Sequence, residues 1–245
     1  MGELPFALAP EAALGAWLRE AEREMELFYE EYAGHDVDAV LTTRELVRMI
    51  RSAHIRPEGL NDIESDSPMR EGTGAGVIFG ATGGVMEAAL RTAYFALKGK
   101  NAPADAFRAV RSLGFNANNG VQEAEFKIDD LVLRTAAVSG LGNTRALLER
   151  IDRGEVHYDF VEVMACPGGC VGGGGQPISV EDEELYGVRG QRLYDLDRAE
   201  PIRFSHENPQ VQALYRDFLG APLSQKAEEL LHTDHKAWEM PGQRQ

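Results

Sequence analysis

The 245-residue sequence has few cysteines, a deficit of basic residues and no long apolar run. Its 2 cysteines are too few for a disulfide framework. Its 25 lysines and arginines are outnumbered by 40 aspartates and glutamates, and the net charge of -15 argues against binding to nucleic-acid phosphates. No apolar stretch approaches the roughly 20 residues of a membrane-spanning helix, and no basic segment precedes the apolar N-terminal residues as in a signal peptide. We therefore expect a cytoplasmic protein with no nucleic-acid partner and no membrane span.

The alternation of short apolar runs with amphipathic segments predicts an α/β protein. Strands are predicted at residues 36–41, 77–79, 124–128, 131–138 and 158–164. Helices are predicted to follow a cap at Thr42 or Thr43 and to cover residues 85–97, 143–151, 208–219 and 223–232. This order predicts a mainly parallel sheet flanked by helices, with a small antiparallel hairpin that turns at Asp129 and Asp130.

Residues 1–34 are predicted to be an amphipathic helical extension of a domain that covers residues 35–245. Within the extension, the helix spans residues 10–33, because Pro10 fits a first helical turn and Gly34 fits the end. Apolar side chains recur there at three- and four-residue spacing, while glutamate and arginine occupy the other face. Such a helix suits packing on its own domain or on another chain.

A glycine-rich turn at residues 80–84, GATGG, is predicted to join the 77–79 strand to the 85–97 helix. Free backbone N–H groups at the start of that helix favour an anion. The turn lacks the Lys-Ser/Thr ending of a P-loop and does not match GxGxxG. The turn therefore predicts an anion cradle near the carboxyl end of a strand, where open α/β sheets bind ligands.

The two cysteines, Cys166 and Cys170, lie in the stretch MACPGGCVGGGGQP, directly after the strand predicted at 158–164. The residues alone are compatible with two ordinary buried thiols, with half of a zinc site, or with a redox disulfide. A closed zinc site needs four ligands, however, and thioredoxin-type motifs have two residues between their cysteines rather than three.

The glycines around these cysteines favour an iron–sulfur cluster. Gly168 and Gly169 let the chain curl between the two sulfurs, and residues 172–175 let backbone N–H groups approach a bulky anionic object. N–H donors to sulfur tune the potential of such clusters. A cubane cluster needs four thiolates, so any cluster here takes its other ligands from another chain or from residues other than cysteine.

Several motifs resemble the [FeFe]-hydrogenases. EVMACPGGCVGGGGQP is similar to their third cluster-binding signature, and GAGVIFGATGGVMEAALRTAY is similar to the turn and helix that follow the second. DVDAVLTTREL, SHENP and LLHT also fit, in the same order, from about residue 35 to residue 233. The resemblance implies one α/β lobe of the two-lobed catalytic domain, the C-terminal one, over residues 35–245.

In that family the H-cluster, a [4Fe–4S] cubane joined by one cysteine to a di-iron subcluster with CO and CN⁻ ligands, interconverts protons, electrons and H2. The resemblance implies that Cys166 ligates the cubane and that Cys170 ligates it and bridges to the di-iron unit. It also implies that Met164, Phe79 and Gly80 line the di-iron pocket. Electrons would come from ferredoxin, NAD or another carrier through a complex.

The sequence also departs from the family pattern. The family's two further cubane cysteines, the lysine that pairs with a cyanide and the main proton path belong to signatures that this sequence does not contain. Three hypotheses remain open. The chain is a subunit of a split or multi-subunit hydrogenase whose partner supplies the other lobe and two cysteines; it is a non-catalytic iron–sulfur binding, assembly or sensing relative; or it is a truncated product without a function of its own.

Three polar residues near these motifs are candidates for roles in the site or in the structure. Glu162 lies on the same strand face as Met164, so it could approach a cluster or serve as a buried structural acid. His206 could carry protons, although a structural role is more common for such a histidine. Glu87 is predicted to complement the dipole of the helix that it begins.

Overall fold

The computed structural model describes residues 39–64, 69–112, 120–179 and 185–232, so the predicted helix at 10–33 lies outside the described residues. The chain divides into two compact units, and residues 39–66 and 70–208 form the larger one. Its helices and strands are, in order, α1 (Thr43–Ser52), α2 (Gly74–Val77), α3 (Gly84–Lys98), β1 (Val121–Ile128), β2 (Leu131–Ser139), α4 (Leu141–Asp152), β3 (Phe160–Met164) and α5 (Tyr186–Ala199). In the other unit the described helices are α6 (Pro209–Leu214), a π-helical turn (Tyr215–Leu219) and α7 (Gln225–Leu231).

A three-stranded sheet in the order β1-β2-β3 organises the larger unit. The predicted hairpin is confirmed: β1 and β2 pair antiparallel, and Asp129 takes a positive φ of 53° in the turn between them. β3 runs parallel to β2, with Ser139 opposite Met164. The α/β class is therefore confirmed, and the described sheet has one antiparallel and one parallel pairing.

Two predicted strands are wrong. Ile78 and its neighbours form the end of helix α2 and a 3₁₀ turn (Ile78–Gly80), because Thr73 caps this short helix by accepting a hydrogen bond from the Gly76 N–H. A short buried apolar run has the same composition in a strand and in a buried helical turn. The second is the strand predicted at 36–41. Of these residues the structure describes 39–41, which are exposed and pair with no strand.

Helices cover both faces of the sheet, as the α/β class requires. On one face, α3 packs through Met86 and Leu90 against strand residues that include Phe126 and Phe160. On the other face, α4 packs through Leu147 against Val138 and its neighbours. Because side chains alternate along a strand, Glu162 and Met164 point to the same side as Phe160, towards α3. The sheet thus presents the residues just before the cysteines to the start of α3.

The cap of α1 is Thr42, one of the two predicted alternatives. Its Oγ1 accepts from the Glu45 N–H at 3.4 Å, and its own N–H donates to the Glu45 carboxylate at 2.8 Å. Helix α4 begins at Leu141, two residues before the predicted start at residue 143, and the Asn143 side chain donates to the Ser139 carbonyl.

Replacing Thr42 with alanine is expected to destabilise α1 by about 1 kcal/mol, since the cap satisfies an N–H that no helix carbonyl reaches. Amide hydrogen exchange over residues 43–52 measures this loss. Thr43→Ala is the matched control, because Thr43 is the first helical residue and not the cap. Equal effects of the two substitutions would contradict the assignment of Thr42 as the cap.

Candidate functional site

The cysteine loop, residues 165–177, begins where β3 ends. The Gly140 N–H donates to the Met164 carbonyl at 2.8 Å, which extends the parallel pairing to the last residue of the strand. The Gly169 N–H then donates to the Cys166 carbonyl at 3.0 Å and closes a tight turn before Cys170. Cys166 is half-buried and Cys170 is exposed, and they are not joined in a disulfide. Two free thiols therefore stand at the end of the sheet.

One glycine of the second run, Gly173, lies near the sulfur of Cys166. Gly173 donates its N–H to the Cys170 carbonyl at 3.1 Å, and a Cβ at this position would lie 3.7 Å from the Cys166 sulfur. Gln176 also donates a side-chain N–H to the Cys170 carbonyl at 3.2 Å. The missing side chain leaves room for a bulky group at the sulfur. Thiols beside bare backbone fit an iron–sulfur cluster.

The structure brings the glycine-rich turn, residues 80–84, against the cysteine loop. The Thr82 N–H points to the Gly168 carbonyl at 3.4 Å. A Cβ on Gly169 would lie 2.8 Å from both the Gly80 oxygen and the Thr82 nitrogen, so the two backbones touch. Phe79, which directly precedes this turn, is 46% exposed. Gly80 and the cysteine loop are thus neighbours, although the turn follows a helical segment and not the predicted strand.

An acidic side chain of the chain itself occupies the predicted anion cradle. The Glu162 carboxylate accepts from the Gly83 N–H and from the Met86 N–H, both at 2.6 Å, at the start of α3. Glu162 is buried, and burial raises its pKa above the usual range, while the bonds from Gly83, Met86 and Val85 act in the opposite direction. The predicted cradle therefore binds an anion, and that anion is the Glu162 carboxylate. This agrees with the interpretation of Glu162 as a buried structural acid.

A network of buried ion pairs lies behind the turn. Glu87 accepts from Arg91 at 2.7 Å and from Arg111 at 2.6 Å and 2.7 Å. Arg91 also donates twice to Asp197 of α5, which accepts a further bond from Arg203. The prediction that Glu87 only complements a helix dipole is too simple, because its carboxylate joins two guanidinium groups that connect α3 to its neighbours.

His206 is held in a structural position. Its Nδ1 lies 3.1 Å from the Thr92 hydroxyl, its Nε2 lies 2.8 Å from the side-chain amide oxygen of Asn101, and its ring stacks on Phe95 with centroids 4.2 Å apart. Burial lowers the pKa of this histidine. With both ring nitrogens engaged, the geometry favours the structural interpretation over proton transfer.

Sequence reasoning missed the side chains that hold the cysteine loop in place. Ser139 accepts from a loop N–H, that of Gly168, at 3.2 Å. Arg44 at the start of α1 and Arg189 of α5 donate to loop carbonyls at 2.5 Å and 3.0 Å. The signal was absent from the sequence, since all three side chains bind main-chain groups, which every residue possesses.

The two thiols have no further metal ligands nearby in the part of the chain that the structure describes, where no group of three or more His, Cys, Asp or Glu could hold a metal ion. The donor set thus fits half of a four-thiolate cluster. Within the described ranges, no helix has the length and the apolar character needed to cross a membrane.

Comparison with known proteins places these features in a family. Residues 18–174 match the model of the iron only hydrogenase large subunit, C-terminal domain, and residues 183–238 match that of the iron hydrogenase small subunit. The chain is 47% identical over 200 residues to the NADP-reducing hydrogenase subunit HndD of Solidesulfovibrio fructosivorans, an alignment that covers 82% of this chain and 33% of that protein.

Two further similarities bear on function. The chain is 33% identical over 223 residues to cytosolic iron-sulfur assembly component 3 of Mus musculus, which covers 88% of this chain and 44% of that protein. Its fold matches [FeFe]-hydrogenase HydA1 from Chlamydomonas reinhardtii with a TM-score of 0.61 and 40% identity, over 80% of this chain and 55% of that one. The chain therefore spans a third to just under half of the length of these curated relatives.

Proposed function

The chain belongs to the iron-only hydrogenase family, and from this premise we propose that it contributes two of the four cysteines of an H-cluster in a split or multi-subunit [FeFe]-hydrogenase. The observation that carries the proposal is the pair of free thiols on the cysteine loop, which the glycine-rich turn contacts directly. The two further thiolates come from polypeptide outside these 245 residues, which contain only 2 cysteines.

Cys166 and Cys170 would hold the cubane, and Cys170 would bridge to the di-iron unit, whose pocket Met164, Phe79 and Gly80 line. When bound, this group supplies the reversible reduction of two protons to H2. The residues of this chain would ligate the cubane and enclose the di-iron unit. The bare backbone at Gly173 would leave space for the cluster beside the Cys166 sulfur, and the partly exposed Phe79 ring would supply an apolar wall that excludes water.

We propose that a partner chain supplies the N-terminal lobe with the two missing thiolates, and that residues 35–245 form the C-terminal lobe. The description of HndD as a subunit of an NADP-reducing hydrogenase supports a complex of several chains. Electrons would be exchanged with ferredoxin, a nicotinamide nucleotide or another carrier through that complex. The extension at residues 1–34 would dock to this complex. A cytoplasmic location stays a prediction.

A non-catalytic iron–sulfur assembly or sensing protein is the alternative, and the similarity to the cytosolic assembly component supports it. In that case two copies of the loop would hold one cluster between them. Identity favours the hydrogenases, at 47% over 200 residues against 33% over 223 residues.

Native mass spectrometry on the chain purified without oxygen from its source tests the proposal. We expect a complex with a second polypeptide that carries the additional mass of a cubane and a di-iron unit. Cys170→Ser is the control, because it removes the bridging sulfur and should lose the metal mass while the protein complex persists. A lone chain or a homodimer, bare or with one simple cluster, would overturn the proposal and support the assembly or sensing role.

A further inference from the structure

Glu162 connects the two parts of the candidate site. It lies on β3, two residues before Met164 and four before Cys166, and it is 6% exposed. Its two carboxylate oxygens each accept one backbone N–H, from Gly83 and from Met86, at 2.6 Å. These are short, charge-assisted hydrogen bonds between elements about 80 residues apart in the sequence. They hold β3, the strand that precedes the cysteines, against the glycine-rich turn, which begins at Gly80 and directly follows Phe79.

Neighbouring contacts connect the glycine-rich turn to the loop that carries the two thiols. The Thr82 N–H points to the Gly168 carbonyl at 3.4 Å, and the Gly168 N–H donates to the Ser139 hydroxyl at 3.2 Å. Since Gly169 also touches the turn, a displacement of residues 83–86 cannot leave the cysteine loop unmoved.

We propose that Glu162 is a positioning residue, whose carboxylate sets the place of the glycine-rich turn relative to Cys166 and Cys170. The inference has one consequence that rests on the proposed function: the same hydrogen bonds would set the reduction potential of the cluster. For its geometric part it needs no cluster, because both hydrogen bonds lie within the chain.

Glutamine is the sharpest substitution. The Glu162→Gln side chain keeps one acceptor oxygen and places an NH2 donor opposite the second N–H, so one bond is lost at almost constant volume. The lost charge also removes the favourable interaction with the start of α3. Glu162→Asp restores the charge but is one methylene shorter, so it should reach one N–H and recover the position only in part.

The first experiment uses the full chain without metal. We expect Glu162→Gln to speed amide hydrogen exchange at residues 83–86 by about tenfold or more, the loss typical of one hydrogen bond to a charged group. Alkylation by iodoacetamide should become faster at the half-buried Cys166 and stay unchanged at the exposed Cys170. Glu162→Asp should give intermediate values.

Two controls separate positioning from general destabilisation. Glu125→Gln makes the same chemical change at an exposed position of β1, and both readouts should keep their original values. Leu147→Ala creates a cavity on the opposite face of the sheet, so it should lower the melting temperature without a selective change at residues 83–86 or at Cys166.

The second experiment uses the complex purified without oxygen. We expect Glu162→Gln to shift the infrared CO and CN⁻ bands and the midpoint potential of the cluster, with Glu125→Gln as the control. If the unaltered complex shows no such bands, the proposed function fails, and hydrogen exchange and alkylation still decide the positioning role. If Glu162→Gln changes exchange and alkylation no more than Leu147→Ala does, Glu162 is merely structural and the inference is overturned.

Discussion

Replacing Gly169 with alanine is expected to destabilise the cysteine loop by about 3 kcal/mol or more, since it combines backbone strain with overpacking. Gly169 has φ 87° and ψ -166°, a conformation that is essentially confined to glycine. An added Cβ would also lie 2.8 Å from the Gly80 oxygen and from the Thr82 nitrogen. Both neighbours are backbone atoms of the glycine-rich turn, so neither can move aside as a flexible side chain would.

Urea unfolding of the full chain, followed by far-UV circular dichroism, measures the loss of stability, and the iron content of protein purified without oxygen measures the effect on the proposed cluster site. Gly174→Ala is the matched control in the same loop. A Cβ there meets no atom within 4 Å and its φ is not positive, so we expect a change within about 0.5 kcal/mol. Equal stability of the two variants would show that the loop does not press against the turn.

The sequence was most informative where local chemistry decides the structure. The hairpin followed from two β-rich runs on either side of Asp129 and Asp130, and the cap of α1 was limited to Thr42 or Thr43, of which the structure selects Thr42. The cysteine loop could be placed at the end of β3, because it directly follows the strand predicted at residues 158–164. In each case the residues that determine the structure are neighbours in the chain.

Prediction failed where distant residues decide the structure. Helix α5 was not predicted, because its buried positions, Tyr186, Gly190, Tyr194 and Asp197, have helical spacing but include a glycine and a charge. The apolar residues around Ile78 form a helical turn because they pack against α5, through Tyr194 and Leu193. A pattern search that asks only for apolar side chains cannot find either element.

The role of Glu162 shows the same limit at the site itself. Its position on the strand indicated the face on which it lies, but its partners are two backbone N–H groups on a turn far away in the sequence. The predicted anion cradle and the buried acid were two halves of one interaction. Each half was visible in the sequence, and only the three-dimensional structure joins them.

Replacing Asp197 with asparagine is expected to cost about 3–5 kcal/mol at neutral pH, the usual effect of removing one partner from a buried ion pair. Asp197 is 1% exposed and accepts from Arg91 at 2.8 Å and from Arg203 at 2.6 Å. Asparagine keeps one acceptor oxygen and turns an NH2 group towards the other guanidinium. Arg91, which is itself buried, then keeps Glu87 as a charged partner but loses the paired charge of Asp197. Urea unfolding at pH 7 measures this loss, with the partly exposed Asp195 of the same helix, changed to asparagine, as the control.

Asp197→Asn should also make the free energy of unfolding less dependent on pH in the acidic range. Burial alone would raise the pKa of Asp197, but the hydrogen bonds from Arg91 and Arg203 outweigh it and hold the pKa below its usual range. A group with a depressed pKa in the folded state contributes stability that is complete above its unfolded pKa of about 3.9 and is lost as the pH falls through the folded value. The unaltered chain should therefore lose stability below about pH 4 more steeply than Asp197→Asn, which lacks this contribution at every pH. Parallel stability curves between pH 5 and pH 2, roughly the range over which a paired aspartate titrates, would mean that the carboxylate contributes nothing to the fold.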